Sequence, residues 1–319
     1  MSTDTDPSAE TVSAAVEEQY QSIQRARRRR RILGGIGLVV LLVTFNHALT
    51  MVELSIGELI QYAPNFFEAL GQYFPRTTYF GFLPFLDFMQ YVDYILEENL
   101  FGEAGITLAI GFGGTILGFP LALLFAVLGS GRVTPFPFNF LFRGVMSSIR
   151  AIPALVWALI YIPLGGVSAF TATIAVATDT VGNLGRLFTD ELEEVEDGPI
   201  EAIRTTGAGR IQVIIFGMLS QVYTPFIAWT LYIFEINIRI AVGLGIIGAG
   251  GIGYVLNTQQ RLFAYTNMMA TIIVILVLII SVEIISQRTR SYIREDEEPM
   301  GIVELLKGFP KRMAESLVK

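Results

Sequence analysis

Few side chains in this 319-residue chain could carry out covalent chemistry. Cysteine is absent and His47 is the sole histidine, so the usual zinc, haem and thiol chemistries have no ligands or nucleophile to work with, and no metal site is expected. His47 sits in an apolar run, where an imidazole bonded to a neighbour is the ordinary reading and a proton relay the sharper one. No G-x-x-x-x-G-K-[ST] phosphate loop occurs, so any ATP that drives this protein is bound by another subunit. Gly243-x-Gly245-x-x-Gly248 and Gly248-x-Gly250-x-x-Gly253 both satisfy G-x-G-x-x-G. Neither lies in a βαβ unit or precedes an acidic residue at the required spacing of about 20, so close helix packing or a permeation gate suits them better than a dinucleotide. What remains is polar residues set among apolar ones: Asp179, Asn183, Glu235, Asn237, Arg239 and Glu283, and the interruption "EAIRTTGAGR" at 201–210.

The elements that must position these residues belong in lipid. Hydrophobic residues make up 52% of the chain, charged ones 16%, and mean hydropathy is +0.56, beyond the usual range of a soluble protein. Windows free of charge at Ile32–Val52, Ala104–Gly131, Ile211–Phe234 and Leu262–Val282 each reach the roughly 20 residues that a transmembrane helix requires. Ala151–Thr178, punctuated by Pro153, Pro163 and Gly165-Gly166, reads as two short spans with a turn at the glycine pair. Ile240–Gln260 is also uncharged, but its glycines disfavour a regular helix by about 1 kcal/mol each relative to alanine. It reads as a re-entrant or irregular segment, which survives at membrane depth only inside protein or beside a wet cavity. The fold class expected is an all-α integral membrane protein of about six spans.

Charge then orients the chain. "RARRRRR", immediately before the first span, belongs in the cytoplasm, and an even number of spans returns the C-terminus there. Residues 1–31, rich in Ser, Thr and acidic groups at their start, read as a disordered cytoplasmic tail, and 291–319 as a second cytoplasmic tail. Between the first two spans, within the segment 32–103, Glu53–Glu103 is external, acidic and aromatic, with interfacial amphipathic helices expected. A net charge of −7, with most arginines assigned to topology, leaves no basic groove for nucleic acid, whereas membrane lipid is a necessary partner.

On this topology 201–210 lies in a cytoplasmic loop, about 190–212, within the core 104–290. "DELEEVEDGPIEAIRTTGAGR" reads as a helix, a Gly198-Pro199 break opening a second short helix, and a turn at Gly207 or Gly209 back towards the membrane. The loop resembles the EAA signature of ABC importer permeases (E-A-A, three residues, G, nine residues, I-x-L-P). Glu201, Ala202, Gly207 and Leu219 match, while Ile203, Gly217 and Ser220 depart. The absence of proline at Ser220 leaves open the angle of the fifth span. A longer stretch, roughly Ile149–Arg290, is similar to phosphonate importer permeases: "EAIRTTGA" at 201 against "EAIRATGA", "LSQV" at 219 against "LPQV", "FEINIR" at 234 against "FEINVR", and "LGIIGAGGIG" at 244 against "LGIVGAGGIG".

The resemblance implies a type I ABC importer permease core: a homodimer with two cytoplasmic ATPase subunits that hold ATP and Mg, an external substrate-binding protein, and no enzymatic site or bound cofactor of its own. In that arrangement Glu201, Ala202, Arg204, Gly207 and Arg210 form the ATPase-coupling loop. Phosphonate is the implied substrate, with phosphate, phosphite or an amino acid such as methionine as alternatives. A secondary carrier or a membrane enzyme are the rival classes. Glu235 and Arg239, four residues apart, are expected to form a helical ion pair at the outer end of the fifth span. Alternatively Arg239, with Asn237, guides an anion towards a gate lined by Gly248, Gly250 and Gly251, since a guanidinium matches a phosphonate's paired oxygens.

Overall fold

A computed structural model describes residues 7–79 and 83–293, so all but the first three residues of the expected C-terminal tail lie outside it. The chain divides into two units, Met1–Glu68 and Ala69–Lys319. In the first, α1 runs unbroken from Pro7 to Met51, and α2 (Ile56–Tyr73) begins after Glu53, which takes a left-handed φ of 54°. The segment read as a disordered tail is therefore helical from Pro7 onward. Its physical reason is local: Pro7 occupies the first helical position, and no Gly or Pro follows before Gly34 in a run of Ala, Glu, Gln and Arg.

The second unit begins at Ala69 within α2 and continues into an antiparallel hairpin, β1 (Arg76–Tyr79) and β2 (Leu83–Leu86), with Arg76 opposite Leu86. Then α3 (Phe88–Glu97) starts from Asp87, whose side chain accepts from the backbone of Gln90. The acidic segment, where amphipathic helices were expected, thus holds two helices, α2 and α3, and a hairpin that its hydrophobic pattern did not announce.

The centre of this unit is the pairing of α4 (Leu100–Gly129) with α7 (Ala169–Glu194). On α4 the buried positions Ala104, Thr107, Gly111, Gly114, Gly118, Ala122, Ala126 and Gly129 recur every three or four residues and are all small. Such a stripe lets two backbones approach closely, the usual means of packing helices in lipid. The approach is tight: a Cβ at Gly118 would stand 2.6 Å from the carbonyl oxygen of Ala177. α5 (Phe138–Ala151) and α6 (Ala154–Gly165) are bent by 91° at Pro153, which pushes Ile152 into extended backbone. The turn between α6 and α7 falls at Gly166, as expected from the glycine pair, and Ser168 caps α7.

Two spans differ from the sequence reading. α7 does not stop near Thr178 but continues to Glu194, because Arg186 and Asp190 pair one turn apart at 3.0 Å and Glu191 accepts from the Trp229 indole at 2.8 Å. The window Ile211–Phe234 is not one span. It is a short helix, Arg210–Leu219, whose α9 turn (Arg210–Gln212) widens into a π-helical stretch, and then α10 (Tyr223–Leu244). The break falls at Ser220 even though proline is absent there; Pro225, in the first turn of α10, has no N–H to extend the preceding helix. α10 passes through a π-helical turn, Gly245–Ala249, into α11 (Gly251–Arg261), and α12 (Tyr265–Ile293) closes the unit.

Four described helical stretches are long and apolar enough to cross a membrane: Gln24–Met51, α4, Tyr223–Ala249 and α12. The bent pair α5–α6 adds a fifth if it is one span, and the 26-residue α7, about 39 Å long at 1.5 Å per residue, has the length of another.

Candidate functional site: an exposed loop helix and an internally tied span

The loop expected to couple is α8 (Asp197–Thr205), set at the end of α7 by interactions from three directions. From the α4–α5 connection, Arg132 donates to the Asp197 carboxylate at 2.6 Å and to the Glu193 carbonyl at 3.0 Å. From α5, Arg143 pairs with the Glu193 carboxylate and donates to the Gly129 carbonyl at 2.8 Å. From the break before α10, the Gln221 amide accepts from Glu196 N–H at 3.0 Å and donates to the Glu196 carbonyl at 3.2 Å, as a paired strand would. Arg210 donates to the Val133 carbonyl.

The helix itself has two faces. Ile200 is buried and Ile203 half-buried, both against Gly217, and they join a cluster with Val195, Val213, Met218 and Val222. Glu201, Ala202, Arg204 and Thr205 are exposed on the other side. Neither Glu201 nor Arg204 has an ion-pair partner among the described residues. Gly207 then reverses the chain with φ = 80°, a left-handed conformation that costs glycine nothing and other residues about 1–2 kcal/mol. The helix begins at Asp197, so Gly198 and Pro199 are inside its first turn rather than a break before it. Of the expected coupling residues, the structure brings Glu201, Ala202, Arg204 and Gly207 to one exposed surface; Arg210 is exposed too but ties back to the α4–α5 connection. Arg132, Arg143 and Glu193, which fix the helix in place, carry no sequence signal, whereas Gln221 lies in the matching "LSQV".

The second candidate region is organised inward. Glu235 does not pair with Arg239. Its partner is Arg290 of α12 at 2.5 Å, with the two side chains 10% and 26% exposed. Nor is Glu235 at a helix end; it sits in the middle of α10, because that span begins twelve residues later than the hydropathy window suggested. Asn237 is fully buried and donates to the hydroxyls of Thr115 on α4 and Thr180 on α7, each at 2.8 Å. Those hydroxyls in turn donate to the carbonyls of Gly111 and Val176. Only Arg239 of the three is exposed, and it has no ion pair among the described residues. The glycine segment lies about 13 Å or more further along, at 1.5 Å per residue. Gly248, Gly250 and Gly251 all take positive φ, and the turn they make returns α11 against the end of α10, where a Cβ at Gly253 would stand 2.0 Å from the Val242 carbonyl oxygen. The irregular backbone expected of this segment is present over 245–250, where Gly245 and Ala249 are buried while Ile246 and Ile247 are exposed. Gly251 lies against α4, with Thr107 Oγ1 accepting from Ile252 N–H at 3.0 Å.

Residues 114–293, more than half the chain, match the family described as the binding-protein-dependent transport system inner membrane component. The chain belongs to this family. HtxC of Stutzerimonas stutzeri, a permease protein assigned to a phosphite transport system, is 31% identical over 70% of this chain and 78% of its own length. The phosphate-import permease protein PhnE of Mycolicibacterium smegmatis is 33% identical over 61% of this chain, which spans only 37% of that longer protein. The phosphite transport system permease protein PtxC of Stutzerimonas stutzeri is 30% identical over 59% of this chain and 69% of its own length. Among solved structures, the MetNI methionine ABC transporter aligns with a TM-score of 0.54 at 19% identity, over 63% of this chain and 97% of that one. A bacterial alginate ABC importer aligns with 0.51 at 12% identity, over 78% and 98%. The fold is therefore that of a type I ABC importer permease, and the chain is a multi-pass membrane transport subunit. Its relatives are permease subunits rather than enzymes.

Proposed function

We propose that this permease carries a phosphorus oxyanion, phosphonate or its close relations phosphite and phosphate, inward across the cell membrane. It does so as a homodimer driven by two separate ATPase subunits that bind ATP and Mg. The observation that carries the coupling is the two-faced α8: its Ile200 and Ile203 side is committed to the bundle, and its Glu201, Ala202 and Arg204 side is exposed, without an ion pair among the described residues, beside the left-handed turn at Gly207. A helix so placed can seat in a cleft of an ATPase, and closure of two such clefts would then move α7 and α10 through Glu193, Glu196 and Gln221. Under this reading the α8 face and both termini are cytoplasmic, and an external binding protein delivers substrate at the opposite face. The relatives named for phosphite and phosphate support the substrate class.

The test is uptake into proteoliposomes holding the permease with its ATPase, with ATP inside and binding protein outside. Labelled methylphosphonate, phosphite, phosphate and methionine are offered in turn. Uptake of one of the three phosphorus oxyanions, abolished without ATP, is expected. Methionine uptake alone would overturn the substrate class, and uptake by the permease without its ATPase would establish a secondary carrier instead.

A further inference from the structure

The coupling loop, the α10 ties and the glycine turn leave one strongly charged feature unused, at the other end of the chain. Arg27, Arg28, Arg29, Arg30 and Arg31 are consecutive, exposed and helical, and α1 continues from them without a break into Ile32 and the apolar run to Met51. Consecutive residues on an α-helix step by about 100°, so five of them sample every direction around the axis within about 6 Å of its length. They form a collar rather than a stripe. No Asp or Glu occurs anywhere from Gln19 to Val52, so no arginine of the collar has a carboxylate three or four residues away to neutralise it along the helix. Setting the orientation of one span does not demand five adjacent charges pointing all ways.

We propose that this collar is a binding site for anionic phospholipid headgroups in the leaflet it borders. Three features favour lipid over a soluble anion. The guanidiniums surround the helix instead of converging on a point, which matches the ring of headgroups around a span. They sit directly at the start of the apolar run, at headgroup level. Each presents paired donors to a phosphodiester's oxygens, and basic residues next to a span gain attraction from an anionic leaflet. The inference is independent of the substrate and of the coupling loop.

Spin-labelled lipids test it on the full-length permease in phosphatidylcholine vesicles. The fraction of phosphatidylglycerol probe immobilised on the protein is compared with that of phosphatidylcholine probe. A several-fold preference for phosphatidylglycerol is expected, weakening as salt rises. The preference should fall clearly below that of the native chain when Arg28, Arg29 and Arg30 are replaced together by Gln, with Arg25, Arg27 and Arg31 kept to hold orientation. It should survive replacement of the same three by Lys. Equal immobilisation of the two lipids by the native chain would overturn the proposal, as would an undiminished preference in the Gln variant. Inorganic phosphate that abolishes the preference at an ionic strength where chloride does not would assign the collar to a soluble anion and overturn it too.

Discussion

Two stretches of this chain carry the resemblance to phosphonate importer permeases, "EAIRTTGA" at 201 and "FEINIR" at 234, and the fold puts them to opposite uses. In the first, the charged residues Glu201 and Arg204 face outward with no ion pair among the described residues, while the apolar Ile200 and Ile203 hold the helix down. In the second, Glu235 and Asn237 face inward and bind three other helices, and only Arg239 looks out. A polar residue that matches a family pattern thus marks either a surface kept for a partner or a tie inside the span. Burial and hydrogen-bond partners separate the two, and spacing does not.

The sharpest way to break the comparison is at Glu235. If it is a tie, Glu235→Ala leaves Arg290 as an uncompensated, mostly buried charge, and the expected loss is about 3–5 kcal/mol of stability. Thermal unfolding of the detergent-solubilised permease measures it. Exchanging the two, Glu235→Arg with Arg290→Glu, should recover part of the loss because the charges again oppose one another across α10 and α12. Arg239→Gln, by contrast, should leave thermal stability unchanged. An equal loss from Arg239→Gln would restore the i,i+4 pair and remove the interhelical one.

At the exposed stretch the effect should fall on transport rather than stability. A Cβ at Gly207 meets nothing within 4 Å, so the space is open to solvent or a partner and the constraint inside the chain is its φ of 80°. Asp tolerates left-handed backbone better than most residues, so Gly207→Asp should cost about 1 kcal/mol or less of stability. It should still lower ATP-driven uptake at least about tenfold, since it adds bulk and charge where a partner's backbone approaches. Full uptake by a stable Gly207→Asp variant would end the assignment of α8 as the coupling helix. Gln221→Ala is expected to be milder in uptake: it removes the bonds to Glu196 that join α8 to α10, but leaves Arg132 and Arg143 holding Glu193.

How much of this was legible in the sequence depends on whether the deciding interaction is local. The break at Gly166, the helices of the acidic segment, the α8 helix with its turn at Gly207 and the irregular glycine segment all follow from residue types acting on their own backbone. The displaced fifth span does not. Hydropathy reads Ile211–Phe234 as one apolar window because it does not weigh Pro225, and the break before that proline is where Gln221 reaches back to Glu196, twenty-five residues earlier, a contact that no window can show. In the charged second half of α7 the Arg186–Asp190 pair is local, but Glu191 is bonded by Trp229 of α10, thirty-eight residues later, which the sequence does not show. The partner of Glu235 was missed because the i,i+4 rule considers one helix, and Arg290 arrives on another, fifty-five residues later.

The smallest effect should come from Asn237, although it is the most buried residue of its motif. Its Nδ2 group donates to Thr115 and Thr180, but neither hydroxyl depends on it, since each already gives its proton to a carbonyl of its own helix. Its Oδ1 has no hydrogen-bond partner among the described residues. Asn237→Leu, nearly the same shape, therefore strands no donor, removes an unpartnered acceptor and forfeits two accepted bonds. Replacing a polar group by an apolar one of similar shape costs much less than orphaning its partner, so a net loss of about 1 kcal/mol is expected. Thr115→Val leaves Nδ2 its bond to Thr180 and should cost no more than that. Thermal unfolding of the two variants beside Glu235→Ala makes the comparison directly. A loss at Asn237→Leu as large as that at Glu235→Ala would mean that the α4–α7–α10 contact, rather than the α10–α12 ion pair, is the principal tie of this span.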